Sequence, residues 1–263
     1  MPSPTDAAMR IGVGQLVCAP GDVRANLRRW ARLAERAADA GCRLLVLPEL
    51  CDTGYLLDAI PILASPWPGC PLDTLRELAV RHNLAIAAGL SERADEAFYN
   101  SLALVGADGA LAGHYRKLHL FRSERQVFTR GDRAVTAELC GWRIGLTICY
   151  DLRFGALHRE LAAQGAELIL NAAAWPAVRI EHWRVLLRAR ALDGQLWHIG
   201  ANRTGTDAGL AMGGLSGVAS PLGEWQALGC TRGGLLTAEV SKAAIADAKA
   251  RLPLHQDAAE FTP

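Results

Sequence analysis

Ile144-Gly145-Leu146-Thr147-Ile148-Cys149-Tyr150-Asp151-Leu152-Arg153-Phe154 is the stretch on which the fold reading turns. Ile144, Leu146 and Ile148 recur as the apolar residues of a buried strand do, and the run stops at a cysteine followed by a polar, aromatic turn. A residue at the end of such a strand stands where open α/β sheets present their chemistry, outside the carboxyl ends of the strands. A thiol there becomes a nucleophile only if a neighbour lowers its pKa or takes its proton. Without such a neighbour it is one more buried cysteine.

Working outward, the pattern predicts strands over 134–139 and 143–148, then a helix over 156–164 and a strand over 167–171. The N-terminal end has a similar plan. A strand is expected over 10–17, followed by a helix capped by Asp22, with Leu27, Trp30, Leu33, Ala34, Ala37 and Ala38 at helical spacing and Gly41 at its end. Leu44-Leu45-Val46-Leu47 then closes on Pro48-Glu49, which places a carboxylate at the tip of a strand. Two such units amount to a weak internal two-fold pseudo-symmetry. Between them the sequence predicts a Pro- and Gly-rich loop around a short helix over 51–70, a helix over 72–82 and a strand over 84–89. A hairpin follows, with strands over 100–105 and 111–116 joined at Asp108-Gly109, then a polar loop over 121–132. Beyond the second unit come a helix over 180–193, a strand over 196–201, a Gly-rich loop over 205–214, strands over 216–219 and 235–240, and a helix over 242–251. Alternating strands and helices define an α/β chain, and no linker divides it.

With 263 residues, 51% of them hydrophobic, the chain can bury a large core in one domain. A net charge of +1 without a basic stretch argues against nucleic acid or an anionic membrane as partner. The seven cysteines are scattered, with no C-x-x-C pair, which fits free thiols in a reducing cytoplasm better than a metal cluster or a disulfide framework. Residues 1–9 read as a disordered leader with neither the charge nor the apolar core of a signal peptide, and no apolar run is long enough to span a bilayer.

Three residues are candidates to activate Cys149. Glu49 ends an apolar run, Lys117 is wedged between Tyr115-Arg116 and Leu118-His119-Leu120-Phe121, and Glu124 lies in Ser123-Glu124-Arg125-Gln126-Val127-Phe128. Each alone reads equally well as an ordinary surface or loop residue. Together, Leu47-Pro48-Glu49-Leu50, Tyr115 to Phe121 and Ile148 to Phe154 resemble, in order, the motifs of the nitrilase superfamily of carbon–nitrogen hydrolases, over a domain spanning 10–263. The resemblance implies a single-domain, four-layer α-β-β-α sandwich, a homodimer, and no metal or organic cofactor. It also implies roles: Glu49 as general base, Lys117 as cationic stabiliser, Cys149 as nucleophile and Glu124 as a second glutamate. An ammonium beside the thiol would favour the thiolate. Lys117 and the Tyr150 N–H would hold the oxyanion of a tetrahedral intermediate, and a thioester would follow.

Rival motifs are weaker. Gly214-Leu215-Ser216-Gly217-Val218 lacks the last glycine of a nucleophile elbow, and His158, His182 and His198, which could imitate a Cys–His pair, fall inside predicted helices and strands. The Tyr-Asp after Cys149 resembles amidases rather than true nitrilases. Asn171-Ala172-Ala173-Ala174-Trp175-Pro176-Ala177 and the segment around His182-Trp183 resemble the omega-amidase branch, which hydrolyses monoamides of small dicarboxylic acids such as 2-oxoglutaramate. Gly155 and Asp193-Gly194 depart from the family, which favours proline and Glu-Asn there. The expected substrate is thus a small aliphatic amide. The alternatives are an N-carbamoyl-amide hydrolase, a broad aliphatic amidase, a nitrilase or a catalytically silent scaffold. Tyr55, Tyr150 and Trp175 are expected to line the pocket. Arg153, Arg179 or Arg203 could each pair with a substrate carboxylate, and the sequence does not choose among them.

Overall fold

The computed structural model describes residues 8–207, 209–254 and 257. The first unit is β1 (Met9–Gln15), α1 (Val23–Asp39) and β2 (Leu44–Val46), with β1 and β2 parallel. Asp22 caps α1 as its sequence predicts, accepting from the Ala25 N–H at 2.9 Å. Short α2 (Ile60–Leu63) and β3 (Ser65–Pro66) lead to α3 (Cys70–His82), β4 (Ala85–Ala94), β5 (Ala97–Val105) and β6 (Leu111–Arg116). The second unit runs β7 (Thr136–Leu139), β8 (Trp142–Ile148), α4 (Gly155–Ala163), β9 (Leu168–Ala173), α5 (Ile180–Gly194) and β10 (Trp197–Asn202). A hairpin of β11 (Thr204–Asp207) and β12 (Leu210–Gly213) precedes β13 (Gly217–Ala219), β14 (Trp225–Leu228), β15 (Gly234–Val240) and α6 (Lys242–Arg251).

One sheet has the strand order β15-β1-β2-β4-β5-β6, with β3 beside β4, and the other β7-β8-β9-β10-β13-β14. Position by position the two agree. Each has a parallel centre (β1-β2-β4 or β8-β9-β10), an antiparallel strand outside its first member, and an antiparallel pair outside its last. The pseudo-symmetry read from two short segments is therefore the plan of the whole fold.

Strand alternation explains the layers. Leu44 and Val46 face the other sheet, in one core with Ile144, Leu146, Ile148, Leu168 and Leu170. Leu45 and Leu47 turn the opposite way and pack with Trp30 and Leu33 of α1 and Leu72 and Leu75 of α3. On the second sheet Ile169 packs outward with Leu157 and Leu161 of α4. Strands covered on both faces must be apolar throughout, which is why Leu44-Leu45-Val46-Leu47 shows no polar alternation. Helix, sheet, sheet and helix thus make the four layers expected.

Several expectations change in detail. Met9, placed at the end of a leader, opens β1 and is fully buried, while residues 1–7 of that leader and residues 258–263 of the expected domain lie outside the described residues. The Gly-rich 205–214 segment contains the β11–β12 hairpin rather than loop alone; its threonines and glycines carry no apolar alternation that would announce a strand. Strand β4 continues past Gly89 into polar residues because buried Glu92 is matched by Arg116, His114 and Ser101 from β5 and β6. Among the described residues, no helix is long and apolar enough to cross a membrane.

The two central strands deliver their ends to one edge of the sandwich, and Gly89 fixes one of them. Its N–H donates to Pro48 O at 3.1 Å and its carbonyl accepts from Cys51 N–H at 2.9 Å, so the Glu49 turn is laced onto β4. A Cβ on Gly89 would stand 2.6 Å from Glu49 Cα and 2.8 Å from Pro48 O, backbone atoms that cannot swing aside. Gly89→Ala should lower stability by about 1–3 kcal/mol, read as an earlier urea midpoint, because overpacking forces backbone to move.

Candidate active site

Four side chains singled out by sequence meet at that edge. Glu49 follows β2, Lys117 follows β6, Cys149 follows β8, and Glu124 sits in the 3-10 turn Arg122–Gln126. All are buried; Cys149, at 9% exposure, is the one that reaches solvent. Lys117 Nζ lies 2.6 Å from Glu49 Oε1 and 2.9 Å from Glu124 Oε1. Asn100 donates to Glu49 Oε1 at 2.7 Å, and the Ala174 N–H donates to Glu49 Oε2 at 2.8 Å. Tyr55 OH donates to Glu124 Oε1 at 2.8 Å and the Phe121 N–H to Glu124 Oε2 at 2.8 Å. The buried charges are thus paired and hydrogen-bonded, the condition under which buried charges persist.

Backbone geometry is unusual at three of the four delivery points, those of Glu49, Glu124 and Cys149. Leu50, Arg122 and Cys149 have φ of 43°, 45° and 46°, in the left-handed region that non-glycine residues rarely adopt. Each is, or lies within two residues of, one of the four side chains. Tight reversals of this kind turn a strand end or loop sharply enough to aim a short side chain inward, and such outliers cluster at functional sites.

The electrostatics correct one expectation. Burial alone would lower the Lys117 pKa, but the Glu124 and Glu49 carboxylates raise it well above the ordinary lysine value, so it is an ammonium. Burial raises Glu124, against the lowering effect of Lys117. Cys149 is pushed well up, first by burial and then by the Glu49 carboxylate, and Lys117 only partly offsets this. The resting sulfur is therefore a thiol facing a carboxylate, rather than a thiolate beside a free ammonium. Lys117 is already flanked by two negative charges, so little of its field is left to ionise the sulfur.

Asp151, inside the opening motif, received no role from the sequence. It is fully buried and ties the Cys149 turn to the Lys117 segment. Its carboxylate accepts from the Ile148 N–H at 3.0 Å, Tyr115 OH at 2.7 Å and the His119 N–H at 3.0 Å, and meets His119 Nδ1 at 2.8 Å. His119 in turn stacks on Phe154, ring centroids 3.7 Å apart.

A cleft opens above Cys149, lined in part by Tyr55, Tyr150 and Trp175 as expected, and by Phe121, which sequence reasoning missed. Arg153 and Arg179 also line it. Arg153 lies over the Trp175 ring at 4.7 Å and donates to His182 at 3.1 Å, and Arg179 lies over Phe121 at 5.4 Å. Among the described residues neither guanidinium has a carboxylate within 4.0 Å. Arg203, the third candidate, is fully buried and paired with Asp207 at 2.6 Å, whose other contact is the Tyr55 N–H at 2.7 Å. It is a brace for the Tyr55 loop and cannot reach a ligand.

The rival histidines stand apart from the sulfur. His158 and His198 are buried and stacked on each other, ring centroids 5.3 Å apart, and His182 meets Arg153. The departure at Asp193 is exposed and leaves the site untouched. The carbonyls of Leu152 and Arg153 are held by Arg190, whose guanidinium also fills the space a side chain at Gly155 would need. Among the described residues no group of His, Cys, Asp and Glu is arranged to hold a metal ion.

Comparison with known proteins fits this arrangement. The sequence profile described as carbon-nitrogen hydrolase matches residues 10–250. A 2-oxoglutaramate amidase of Bacillus subtilis is 32% identical, covering 81% of this chain and 84% of that one. An omega-amidase of Escherichia coli is 35% identical over 91% and 93% of the two chains. The crystal structure of XC1258 from Xanthomonas campestris, a CN-hydrolase superfamily protein with an arsenic adduct in its active site, superposes with a TM-score of 0.91 at 32% identity, covering 95% of this chain and 97% of that one.

Two measurements check this electrostatic picture. Burial lowers the His158 pKa from 6.5 to about 4, so the unfolded chain binds the proton more readily than the folded one. Stability is then full above pH 6.5 and falls as pH drops from 6.5 to about 4, by on the order of 3 kcal/mol from this group; His158→Gln should flatten that slope in urea titrations at stepped pH. Arg203→Met leaves Asp207 buried without its partner and should cost about 3–5 kcal/mol, read from the same titrations at neutral pH.

Proposed function

The chain belongs to the carbon–nitrogen hydrolase family, and we propose that it is a cysteine amidase acting on the terminal amide of small dicarboxylic monoamides. The observation that carries the amidase reading is the thiol of Cys149 facing a carboxylate, with an ammonium held between two carboxylates at the floor of the cleft. Glu49 takes the proton as the sulfur attacks the amide carbonyl, which matches a thiol that rests protonated. The oxyanion that forms is met by the Lys117 ammonium and the Tyr150 N–H, at the first turn of the Cys149–Arg153 helix where a helix start leaves donors unused. Glu49 passes the proton to the leaving nitrogen, ammonia departs and a thioester remains. Water, losing its proton to Glu49, adds to the thioester carbonyl; the C–S bond then breaks as Glu49 returns the proton to the sulfur, and the acid is released. Glu124 holds Lys117 in place and is itself fixed by Tyr55.

The monoamide reading rests on the arginines. Arg153 and Arg179 face the cleft without a carboxylate partner among the described residues, so a substrate carboxylate would complete them. The names of the Bacillus and Escherichia relatives support the same substrate class. The free cysteines fit a cytoplasmic protein. A homodimer is part of this reading, supported by exposed Val185 and Leu192, seven residues apart on one face of α5, and by exposed Val178 just before it.

Ammonia release from succinamate should exceed that from butyramide, N-carbamoyl amines and simple nitriles, and should vanish in Cys149→Ala, which also forms no thioester adduct by mass. Arg153→Leu should raise KM for succinamate by about 10- to 100-fold, the worth of a hydrogen bond to a charged group, and leave butyramide little changed. Equal effects on both amides would end the carboxylate assignment, and ammonia release by Cys149→Ala would end the cysteine mechanism.

A further inference from the structure

We propose that Asn100 is the positioning residue that aims the Glu49 carboxylate, and that Glu49 Oε2 is the oxygen that takes the Cys149 proton. The inference rests on the reading of Glu49 as proton acceptor and adds which atom acts and what holds it there.

An ionised carboxylate has about four lone-pair sites, two on each oxygen. On Glu49, Oε1 accepts from Lys117 Nζ at 2.6 Å and from Asn100 Nδ2 at 2.7 Å, which fills it. Among the described residues Oε2 accepts only the Ala174 N–H, at 2.8 Å, so one site on that oxygen is left for a proton. In the first step the S–H bond breaks, its electron pair stays on sulfur to attack the carbonyl carbon, and the O–H bond forms on Oε2. The proton later leaves Oε2 for the departing nitrogen, and the carboxylate is restored.

Asn100 supports this assignment. It lies on β5, fully buried, and its backbone carbonyl accepts from the Lys117 N–H at 2.9 Å, so one residue holds both the acceptor and the lysine. The orientation of its amide is forced, because turning it over would set Oδ1 against Glu49 Oε1, oxygen on oxygen. As it stands, Oδ1 has no partner among the described residues. An unmatched buried oxygen is unfavourable. An asparagine kept here in spite of it is explained by the donor it aims at the charged form of Glu49. Such a donor keeps the carboxylate ionised and fixed at the moment it must accept. Sequence gave no hint, since Asn100 stands 51 residues from Glu49 and reads as an ordinary strand residue.

The test uses iodoacetamide, which reports the reactivity of Cys149 without assuming a substrate. Carbamidomethylation of Cys149 is followed by peptide mass against pH in the wild type, Asn100→Leu and Glu49→Gln. Asn100→Leu should move the acid limb of the profile to higher pH and slow the reaction at neutral pH by about 10- to 100-fold, the loss of one hydrogen bond to a charged group. A leucine variant that is folded by circular dichroism and reacts along the wild-type profile overturns the proposal. If leucine does not fold, Asn100→Ala and Asn100→Ser carry the same expectation and the same refutation. Glu49→Gln separates the two levels of inference. Its ammonia release from succinamate should be lost even though Cys149 can still be alkylated, since removing the carboxylate also removes a charge that holds the thiol protonated; if it turns over as the wild type does, the reading of Glu49 as proton acceptor fails. With the glutamine variant inactive and the Asn100 variants unchanged, Glu49 keeps its role and the assignment of Asn100 falls.

Discussion

One ammonium buried between two carboxylates is the constraint to which the rest of this molecule answers. Lys117, Glu49 and Glu124 are almost wholly excluded from water, and charges so placed survive only if they are paired and hydrogen-bonded. Those partners come from all over the chain: Asn100 from β5, Ala174 from the end of β9, Tyr55 and Phe121 from two separate loops. No single segment could build the cluster. Conversely, removing one member would strand the others, so the site and the stability of this edge of the sandwich are one problem.

The pseudo-symmetry gives that convergence a geometric origin. β2 and β9 hold the same place in their respective sheets, and it is the turn after β2 and the turn after β9 that touch, through Glu49 and the Ala174 N–H. Strand ends that face each other across the two sheets meet without long connections. Asp151 adds a second tie of the same kind, from the turn after β8 to the segment after β6. The cleft above is then walled by loops whose positions are fixed below.

Strand ends and their chemistry were legible because buried strands are continuously apolar, and a glutamate or cysteine closing such a run is conspicuous. Glu49 and Cys149 stood out for that reason, and Lys117 and Glu124 came only with the family motifs. Asn100 and Asp151 were not legible. They act through hydrogen bonds to residues distant in sequence or to a neighbouring turn, and periodicity carries no trace of such bonds. The β11–β12 hairpin was missed because its threonines and glycines carry no apolar alternation, and the buried ion pair between Arg203 and Asp207 beside it leaves no mark in the sequence pattern. The same pair removes one of the three arginines that the sequence left open. The ionisation of Cys149 also ran against expectation, because an ammonium with two carboxylate neighbours has little field left for a thiol.

The cleft is electrically graded, with guanidinium groups of Arg153 and Arg179 along its wall, Glu124 at its floor and Glu49 buried behind. On the monoamide reading proposed above, a substrate would enter such a field neutral end first. Hydrolysis would then replace that neutral end with a second anion close to the buried carboxylates, where like charges repel strongly in a dry setting. Turnover would thereby undo the fit that admits the ligand, and a cleft of this polarity would resist being clogged by the acid it makes.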